Sequence, residues 1–465
     1  MKQAVWLCPI IFVAMCVGLF LFPSNASSAR NGFGGSPYNV GSIVTATTTL
    51  PEQEEWINID PNNSTNYVSA VTDFSVRAGD GTTKYAYSND TGVSWNESFL
   101  PLAGIYPITA DGVTWNENRD PSTAIDDQGN VYLAGIYQVL AGGQPKNDNP
   151  AAGVYVCQST LPIVSFQAAS CHAVFSYTSA GNNPYSEDKV SIATDNSTSS
   201  SAGTVYATWV HYLNCNGPFN CKSKYVAFSR STDHGVTWSS PMQVSKANTN
   251  VQWPELTVGR DGSVYVAYET LIGAKTGMHW LTISSDGGIS FTPAQSITPV
   301  YNDLTFSSTY RKNSGPNVMV SPVPGAEYVY DVFAVQGGRS SNVVFARSYL
   351  PKGLGGFTLP VAMNDTTIGQ RLFPAAAVDN NGTLHVAWLD TRNSRTVSMY
   401  DVYATYSTNL GGLFAPNARV TPTLINSQNS AFIGDYMGII AEPASGVAHP
   451  VWSNGTMRTT TLTIP

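Results

Sequence analysis

Residues 231–238 read Ser-Thr-Asp-His-Gly-Val-Thr-Trp, and the same order of residue types returns elsewhere in the chain. Residues 284–291 read Ser-Ser-Asp-Gly-Gly-Ile-Ser-Phe, residues 88–95 read Ser-Asn-Asp-Thr-Gly-Val-Ser-Trp, and residues 407–414 are a weaker copy. The Asp or Asn side chain can accept hydrogen bonds from its own turn, and the Gly two positions later tolerates positive φ. The pattern therefore predicts a tight hairpin turn, closed by an aromatic residue at the edge of a small sheet.

Short β-rich segments recur about every sixty residues from residue 55 onward, which indicates a repeat architecture. They begin at Tyr67, Val131, Val205, Val264, Tyr328, Leu384 and Val447. Three other strand patterns accompany such a segment. One lies before the polar turn that leads into the segment, and two follow the segment. Apolar residues alternate with period two, and no stretch shows sustained helical periodicity. Four strands per repeat are typical of one blade of a β-propeller.

The repeats predict an all-β fold, a single propeller of four-stranded blades over residues 55–465. Seven blades fit the number of repeats, and six are the alternative. The last repeat lacks one strand, and an open edge would leave a row of unpaired backbone groups. We expect the alternating segment 43–50, in an N-terminal extension of residues 30–54, to supply that strand and close the ring.

Residues 1–29 carry one positive charge followed by an apolar run, which is typical of a secretory signal peptide. An uncleaved membrane anchor is the alternative. We therefore predict a secreted, extracellular or cell-surface protein. An even number of cysteines remains beyond the leader, and disulfides are expected in such a compartment. Of the three possible pairings, the short-range one joins 157 to 171 and 215 to 221. Metal binding is the alternative, but the spacing suits zinc poorly. The cysteines concerned are Cys157, Cys171, Cys215 and Cys221.

Charged residues make up only 12% of the chain, and the formal net charge is -8. No cluster of Lys and Arg occurs, and this argues against nucleic acid as a partner. A membrane is an expected partner only if the leader stays uncleaved. We predict no cofactor, no metal and a monomeric chain.

The repeated turns resemble the Asp-box of sialidases and other bacterial-neuraminidase-repeat propellers. The resemblance extends over most of the chain beyond the leader. It implies a secreted propeller that acts on glycans, most simply a glycoside hydrolase of the exo-α-sialidase type. The glycan would be sialic acid or another acidic sugar. One departure matters, because the Arg-Ile-Pro motif of sialidases occurs nowhere in this sequence. Whether the chain is an enzyme is therefore left open.

Loops alternate between the two faces of a propeller, so the boxes would occupy one face and a site the other. The loops that enter the first strand or leave the second bring Arg, carboxylate and aromatic residues together in a chain with few charges. Guanidinium groups suit a sugar carboxylate, and aromatic rings suit the apolar face of a sugar. The expected substrate-binding residues are Arg119, Arg371, Arg392, Trp253, Phe373, Glu269 and Asp435.

The resemblance also implies catalytic roles. A sialidase-like enzyme would use the three arginines as a triad, Asp120 or Asp390 as acid/base, and Tyr436 with Glu255 as the nucleophile pair. The same charges could instead be ion pairs that fix loops. Two other functions stay open: a non-catalytic propeller that binds glycans or proteins at the cell surface, and an extracellular structural component.

Overall fold

The computed structural model describes residues 33–77, 80–101, 117–139, 151–178, 186–215, 221–246, 250–308, 310–350, 356–427 and 432–465. The predicted leader, residues 1–29, lies outside them. The described residues are almost entirely strands, turns and loops, and they include a 3-10 turn at Ala168–Ser170. No helix among these residues is long and apolar enough to cross a membrane. The all-β prediction is confirmed.

The strands follow the chain blade by blade. The N-terminal extension holds β1 (Asn39–Val40) and β2 (Val44–Thr45). Blade one has β3 (Glu52–Asp60), β4 (Asn63–Arg77), β5 (Asp80–Ser88) and β6 (Asn96–Phe99). Blade two has β7 (Glu117–Ile125), β8 (Asn130–Val139), β9 (Ala151–Thr160) and β10 (Cys171–Thr178). Blade three has β11 (Ser186–Thr194), β12 (Val205–Cys215), β13 (Cys221–Ser231) and β14 (Met242–Gln243).

Blade four has β15 (Val251–Val258), β16 (Val264–Gly273), β17 (Thr276–Ser284) and β18 (Gln295–Ser296), with β19 (Tyr301–Asn302) beside β17. Blade five has β20 (Asn317–Val320), β21 (Tyr328–Gly337), β22 (Ser340–Tyr349) and β23 (Val361–Ala362). Blade six has β24 (Arg371–Val378), β25 (Leu384–Asp390), β26 (Met399–Ser407) and β27 (Ala418–Arg419), with β28 (Ile425–Asn426) beside β26. Blade seven has β29 (Gly438–Ala441), β30 (Val447–Ser453), β31 (Met457–Thr459) and β32 (Leu462–Thr463).

All blades are antiparallel sheets, and in blades one to six the four main strands pair in chain order. In blade seven β30 pairs with β29, β31 and β32. The first strands of successive blades contact one another from β3 to β29, and β29 contacts β3 again. These inner strands therefore surround a central axis. The prediction of seven blades is confirmed, and the alternative of six is excluded.

The N-terminal extension closes the ring, as predicted. β2 pairs with β31 as the outer strand of blade seven, and β1 pairs with β32. The strand is shorter than the expected segment 43–50. The Thr47 hydroxyl accepts from the Met457 amide at 2.9 Å, and the Thr49 hydroxyl donates to Glu52 at 2.9 Å. These threonines contribute side-chain hydrogen bonds where a longer strand would have continued the ladder.

The four repeated turns share one hydrogen-bond pattern between the third and fourth strands of their blades. In residues 231–238, Asp233 accepts from the Ser231 hydroxyl at 2.7 Å and from the Thr237 amide at 2.9 Å. The Gly235 amide donates to Ser231 at 2.8 Å, and Gly235 has a φ of 82°. The Trp238 indole donates to the Gly235 carbonyl at 3.0 Å. Since strands alternate in direction, these turns lie on the face away from the start of each inner strand.

A disulfide joins Cys157 to Cys171 across β9 and β10, with the Cα atoms 3.9 Å apart. Cys221 is also disulfide-bonded, and it pairs in register with Cys215 between β12 and β13. The short-range pairing is confirmed for the first pair. Cys157 and Cys171 are therefore excluded as metal ligands.

Candidate functional site

Five inner strands share a β-bulge near their start. The strand register slips there in β3, β7, β11, β15 and β24. One non-glycine residue in each bulge has positive φ, a conformation that is uncommon outside glycine. Bulges of this kind redirect side chains and are frequent beside functional sites. The five residues are Glu54 (65°), Asp120 (52°), Lys189 (53°), Trp253 (54°) and Phe373 (49°).

Lys189 is the centre of a buried ion cluster at the axis. Its amine lies 2.8 Å from Asp435 Oδ2, 3.1 Å from Glu54 Oε1 and 3.4 Å from Asp120 Oδ2. The lysine and its three partners are all buried. Because isolated buried charges are costly, such a group persists only when each charge has partners. Lys189 thus joins blades one, two, three and seven.

The carboxyl groups of this cluster differ in pKa. Burial, followed by the charge of Asp120, raises the pKa of Glu54 well above its usual range. Burial alone would raise the pKa of Asp120 too, but Lys189 and a hydrogen bond from Glu54 outweigh it and lower that pKa. Burial raises the pKa of Asp188 to about 6. The pKa values of Glu54 and Asp120 therefore move in opposite directions although both groups are buried.

A cavity of about 70 Å³ lies on the axis beside this cluster. Residues from several inner strands line it, as expected for a central cavity in a propeller. Aromatic rings supply much of the wall, and Asn313 and Lys189 are among its polar groups. The rings belong to Trp56, Trp253, Phe373 and Tyr436.

Two carboxyl groups line the same cavity in different surroundings. Burial, followed by the charge of Asp331, raises the pKa of Glu255 well above its usual range. Asp435 is ion-paired instead, because Lys189 and Arg311 each lie 2.8 Å from its Oδ2 atom. Glu255 is therefore set up to carry a proton, whereas Asp435 is held in ion pairs.

Several of the residues predicted from the sequence meet here. Trp253, Glu255, Phe373, Asp435 and Tyr436 all line the cavity, and Asp120 lies in the adjoining cluster. The Tyr436 hydroxyl donates to the Pro121 carbonyl at 3.2 Å. Burial and then the charge of Glu54 raise the Tyr436 pKa well above its usual value. A nucleophilic tyrosine needs the opposite shift.

The structure does not bring the three predicted arginines together at the cavity. Arg371 is fully buried, and its guanidinium donates to the Ser341 and Ile368 carbonyls at 2.6 and 2.7 Å. Arg371 and Arg392 both pair with Asp390, at 3.2 and 2.7 Å. Asp390 is thus engaged within blade six, away from the cavity lining.

The remaining predicted residues also lie outside the cavity lining. Arg119 belongs to β7, packs beside Gly81 of blade one and contributes to the electrostatics of the Asp120 carboxyl group. Glu269 accepts a hydrogen bond from the Tyr301 hydroxyl at 2.6 Å. Burial raises the Glu269 pKa to about 7.

Sequence reasoning missed Lys189, Glu54, Arg311 and Asn313. The Asn313 amide donates to the Asp435 carbonyl at 2.7 Å, and Arg311 lies 4.4 Å from the centre of the Phe432 ring. The sequence did contain a signal for Lys189. The pair Asp188-Lys189 stands near the start of β11, just as the pair Arg119-Asp120 stands near the start of β7.

No protein-family model matches this chain, and no curated protein matches its sequence. Solved structures share its fold. A protein of unknown function from Dyadobacter fermentans DSM 18053 is 12% identical, over 92% of this chain and 99% of that one, with a TM-score of 0.50. The Hadza microbial sialidase Hz136 is 13% identical, over 94% and 98%, with a TM-score of 0.46. An α-L-arabinofuranosidase from Fusarium graminearum is 11% identical, over 92% and 98%, with a TM-score of 0.46. At such identities the likeness concerns the fold alone.

Proposed function

We propose that the chain is a glycoside hydrolase whose site is the axial cavity. The observation that carries the proposal is the presence of Glu255 and Asp435 in one aromatic-lined cavity, in opposite electrostatic surroundings. Most glycoside hydrolases use two carboxyl groups, one to give a proton and one to act as a base or nucleophile. Aromatic rings give the apolar face of a sugar a surface on which to stack.

In this mechanism Glu255 is the general acid and protonates the leaving glycosidic oxygen. Asp435 is held by ion pairs with Lys189 and Arg311. It acts on the other side of the sugar, either by activating water or by bonding to the anomeric carbon. Trp253 and Tyr436 form part of the wall against which the sugar ring lies.

The narrower assignment, an exo-α-sialidase, has weaker support. It needs an arginine triad at the site, whereas Arg371 and Arg392 are engaged by Asp390. It also needs an activated tyrosine, whereas the Tyr436 pKa is raised. We therefore assign Arg371 and Arg392 a structural role and keep glycan hydrolysis as the proposed activity.

A non-catalytic glycan-binding propeller is the second candidate. The observation that favours it is the mutual pairing of Lys189 with Asp435, Glu54 and Asp120, which would suit a purely structural hub. For either function we propose export, since the leader-like residues 1–29 and the Cys157–Cys171 disulfide both fit an oxidising compartment.

The test is turnover of a panel of chromogenic glycosides, neutral glycosides and an α-sialoside, by the purified protein and by Glu255→Gln and Asp435→Asn. We expect each substitution to lower kcat by about 10²- to 10⁴-fold. The control is Asp127→Asn, an exposed carboxylate in the turn between β7 and β8. Undiminished turnover by both site variants would contradict the mechanism. Glycan binding without turnover would favour the non-catalytic candidate.

A further inference from the structure

The cations around the axial cavity already have anionic partners. Lys189 pairs with three carboxyl groups, and Arg311 pairs with Asp435. Among the described residues that line the cavity, Lys189 is the only Lys or Arg. A sugar carboxylate is normally held by a guanidinium or ammonium group that is available to it. Here such a ligand would have to compete with Asp435 and Asp120 for the same cations.

The local arrangement also resists rearrangement. Lys189 and Asp120 both occupy bulge positions with positive φ, and both side chains are buried. The lysine amine lies 5.0 Å from the centre of the Trp253 ring and 5.6 Å from that of Tyr436. It is therefore enclosed by rings and carboxylates together. Moving it towards a ligand would leave buried carboxylates without their partner, which is strongly unfavourable.

We propose that the axial site selects uncharged sugars and rejects acidic ones, and that the Lys189 cluster sets this preference. The inference rests on the proposed function, because it names the substrate class of the same cavity. A neutral sugar needs only ring stacking and hydrogen bonds. The rings of Trp253 and Tyr436 and the amide of Asn313 can provide them without disturbing an ion pair. An acidic sugar would add a negative charge beside Asp435 and Asp120.

The charge balance of the cluster can be changed at one position without altering the backbone. Asp120→Asn removes an ionised group 3.4 Å from the Lys189 amine. Asn tolerates the positive φ of 52° at this position better than most residues. The variant leaves Lys189 less fully compensated, so an anionic sugar becomes a better ligand. Glu97→Gln is the matched control, because Glu97 pairs with the buried Lys84 in blade one, outside the cavity lining.

The experiment measures binding of matched sugar pairs by titration calorimetry or saturation-transfer NMR. Methyl glucoside and galactoside are compared with the corresponding uronates, with methyl arabinofuranoside as a further neutral ligand and N-acetylneuraminate as a further acidic one. For the unchanged protein we expect the best neutral ligand to bind at least about tenfold more tightly than any acidic one. For Asp120→Asn we expect the ratio of the Kd for the acidic ligand to the Kd for the neutral ligand to fall by about tenfold. For Glu97→Gln we expect this ratio to be unchanged.

Tighter binding of an acidic sugar than of every neutral one by the unchanged protein would overturn the inference while leaving glycan binding in place. An unchanged ratio in a folded Asp120→Asn protein would overturn the role assigned to the cluster. If that variant does not fold, the comparison of ligands on the unchanged protein still decides the substrate class. Binding of no sugar at all would overturn the proposed function itself, and the inference with it.

Discussion

The amine of Lys189 lies 2.8 Å from Asp435 Oδ2, and this ion pair joins blade three to blade seven. These blades are not neighbours in the ring, so the pair spans the central axis. The same amine is 3.1 Å from Glu54 of blade one. Contacts between neighbouring inner strands fix the wall of the ring, and this cluster adds a connection through its centre.

Replacing Lys189 by Met should destabilise the fold strongly. Asp435 and Asp120 would lose their buried partner, and breaking a buried pair from one side costs about 3–5 kcal/mol. Denaturant unfolding would measure the loss. Lys222→Met, at an exposed position of β13, should change the free energy of unfolding by less than about 0.5 kcal/mol. Equal stability of the two variants would show that the cluster contributes little.

The pH dependence of turnover should follow the protonated form of Glu255. Burial raises the pKa of this carboxyl group well above its usual range. A general acid works only while it holds its proton, so kcat should be constant at low pH and should fall as pH rises through the raised pKa of Glu255. The Glu255→Gln variant should not show this fall in kcat at high pH. A rate that increases steadily with pH would argue for Glu255 as a base.

Glu269 should make the fold less stable as pH rises. Burial raises its pKa from 4.5 to about 7, so the folded state binds the proton more tightly than the unfolded chain does. Its contribution is fully present below pH 4.5 and is lost as pH rises through about 7. Glu269→Gln should therefore gain up to about 3 kcal/mol relative to the unchanged protein between pH 4.5 and 8.

Unfolding free energies at several pH values would measure this difference. Glu97→Gln is the comparison, because hydrogen bonds and the charge of Lys84 lower the Glu97 pKa in spite of partial burial. At high pH the Glu97→Gln variant should therefore have a lower free energy of unfolding than the unchanged protein, whereas the Glu269→Gln variant should have a higher one. A pH-independent difference for Glu269→Gln would contradict the raised pKa.

The turn at residues 284–291 should matter for stability and not for ligand binding. Asp286 accepts hydrogen bonds from the Ser290 hydroxyl at 2.5 Å, the Ser290 amide at 2.9 Å and the Ser284 hydroxyl at 2.7 Å, and these bonds lower its pKa to about 2. Asp286→Ala should cost about 1 kcal/mol in the free energy of unfolding. Sugar affinity should be unchanged, since these turns lie on the face opposite the bulges. A loss of affinity in a folded variant would place the site on the wrong face.

Removal of the N-terminal extension should open the ring at blade seven. A chain that starts at Pro51 lacks β2, which leaves the β31 edge unpaired. Exposed strand edges promote association between chains. We expect a lower melting temperature and concentration-dependent aggregation by light scattering. A chain that starts at Phe33 keeps both β1 and β2 and is the control. Equal melting temperatures and equal scattering of the two would show that closure is not needed.

The sequence alone predicted the periodic features of this protein. Four strands per repeat, seven repeats, the turn at residues 231–238 and closure by the N-terminal extension all depend on short-range patterns or on the repeat count. Residue types with fixed spacing encode such features locally. The sequence also predicted that Trp253, Glu255 and Asp435 lie on one face, because loop position within a repeat assigns the face.

The tertiary structure alone decided which charges meet. Lys189 and Asp435 are far apart in the chain, and only ring closure places them 2.8 Å apart. Arg371 was predicted to bind substrate, yet it lies fully buried beside Asp390. A strand pattern gives the face of each side chain, but the bulges redirect individual residues towards the axis. The partners of Lys189 therefore depend on contacts between blades, which no single repeat encodes.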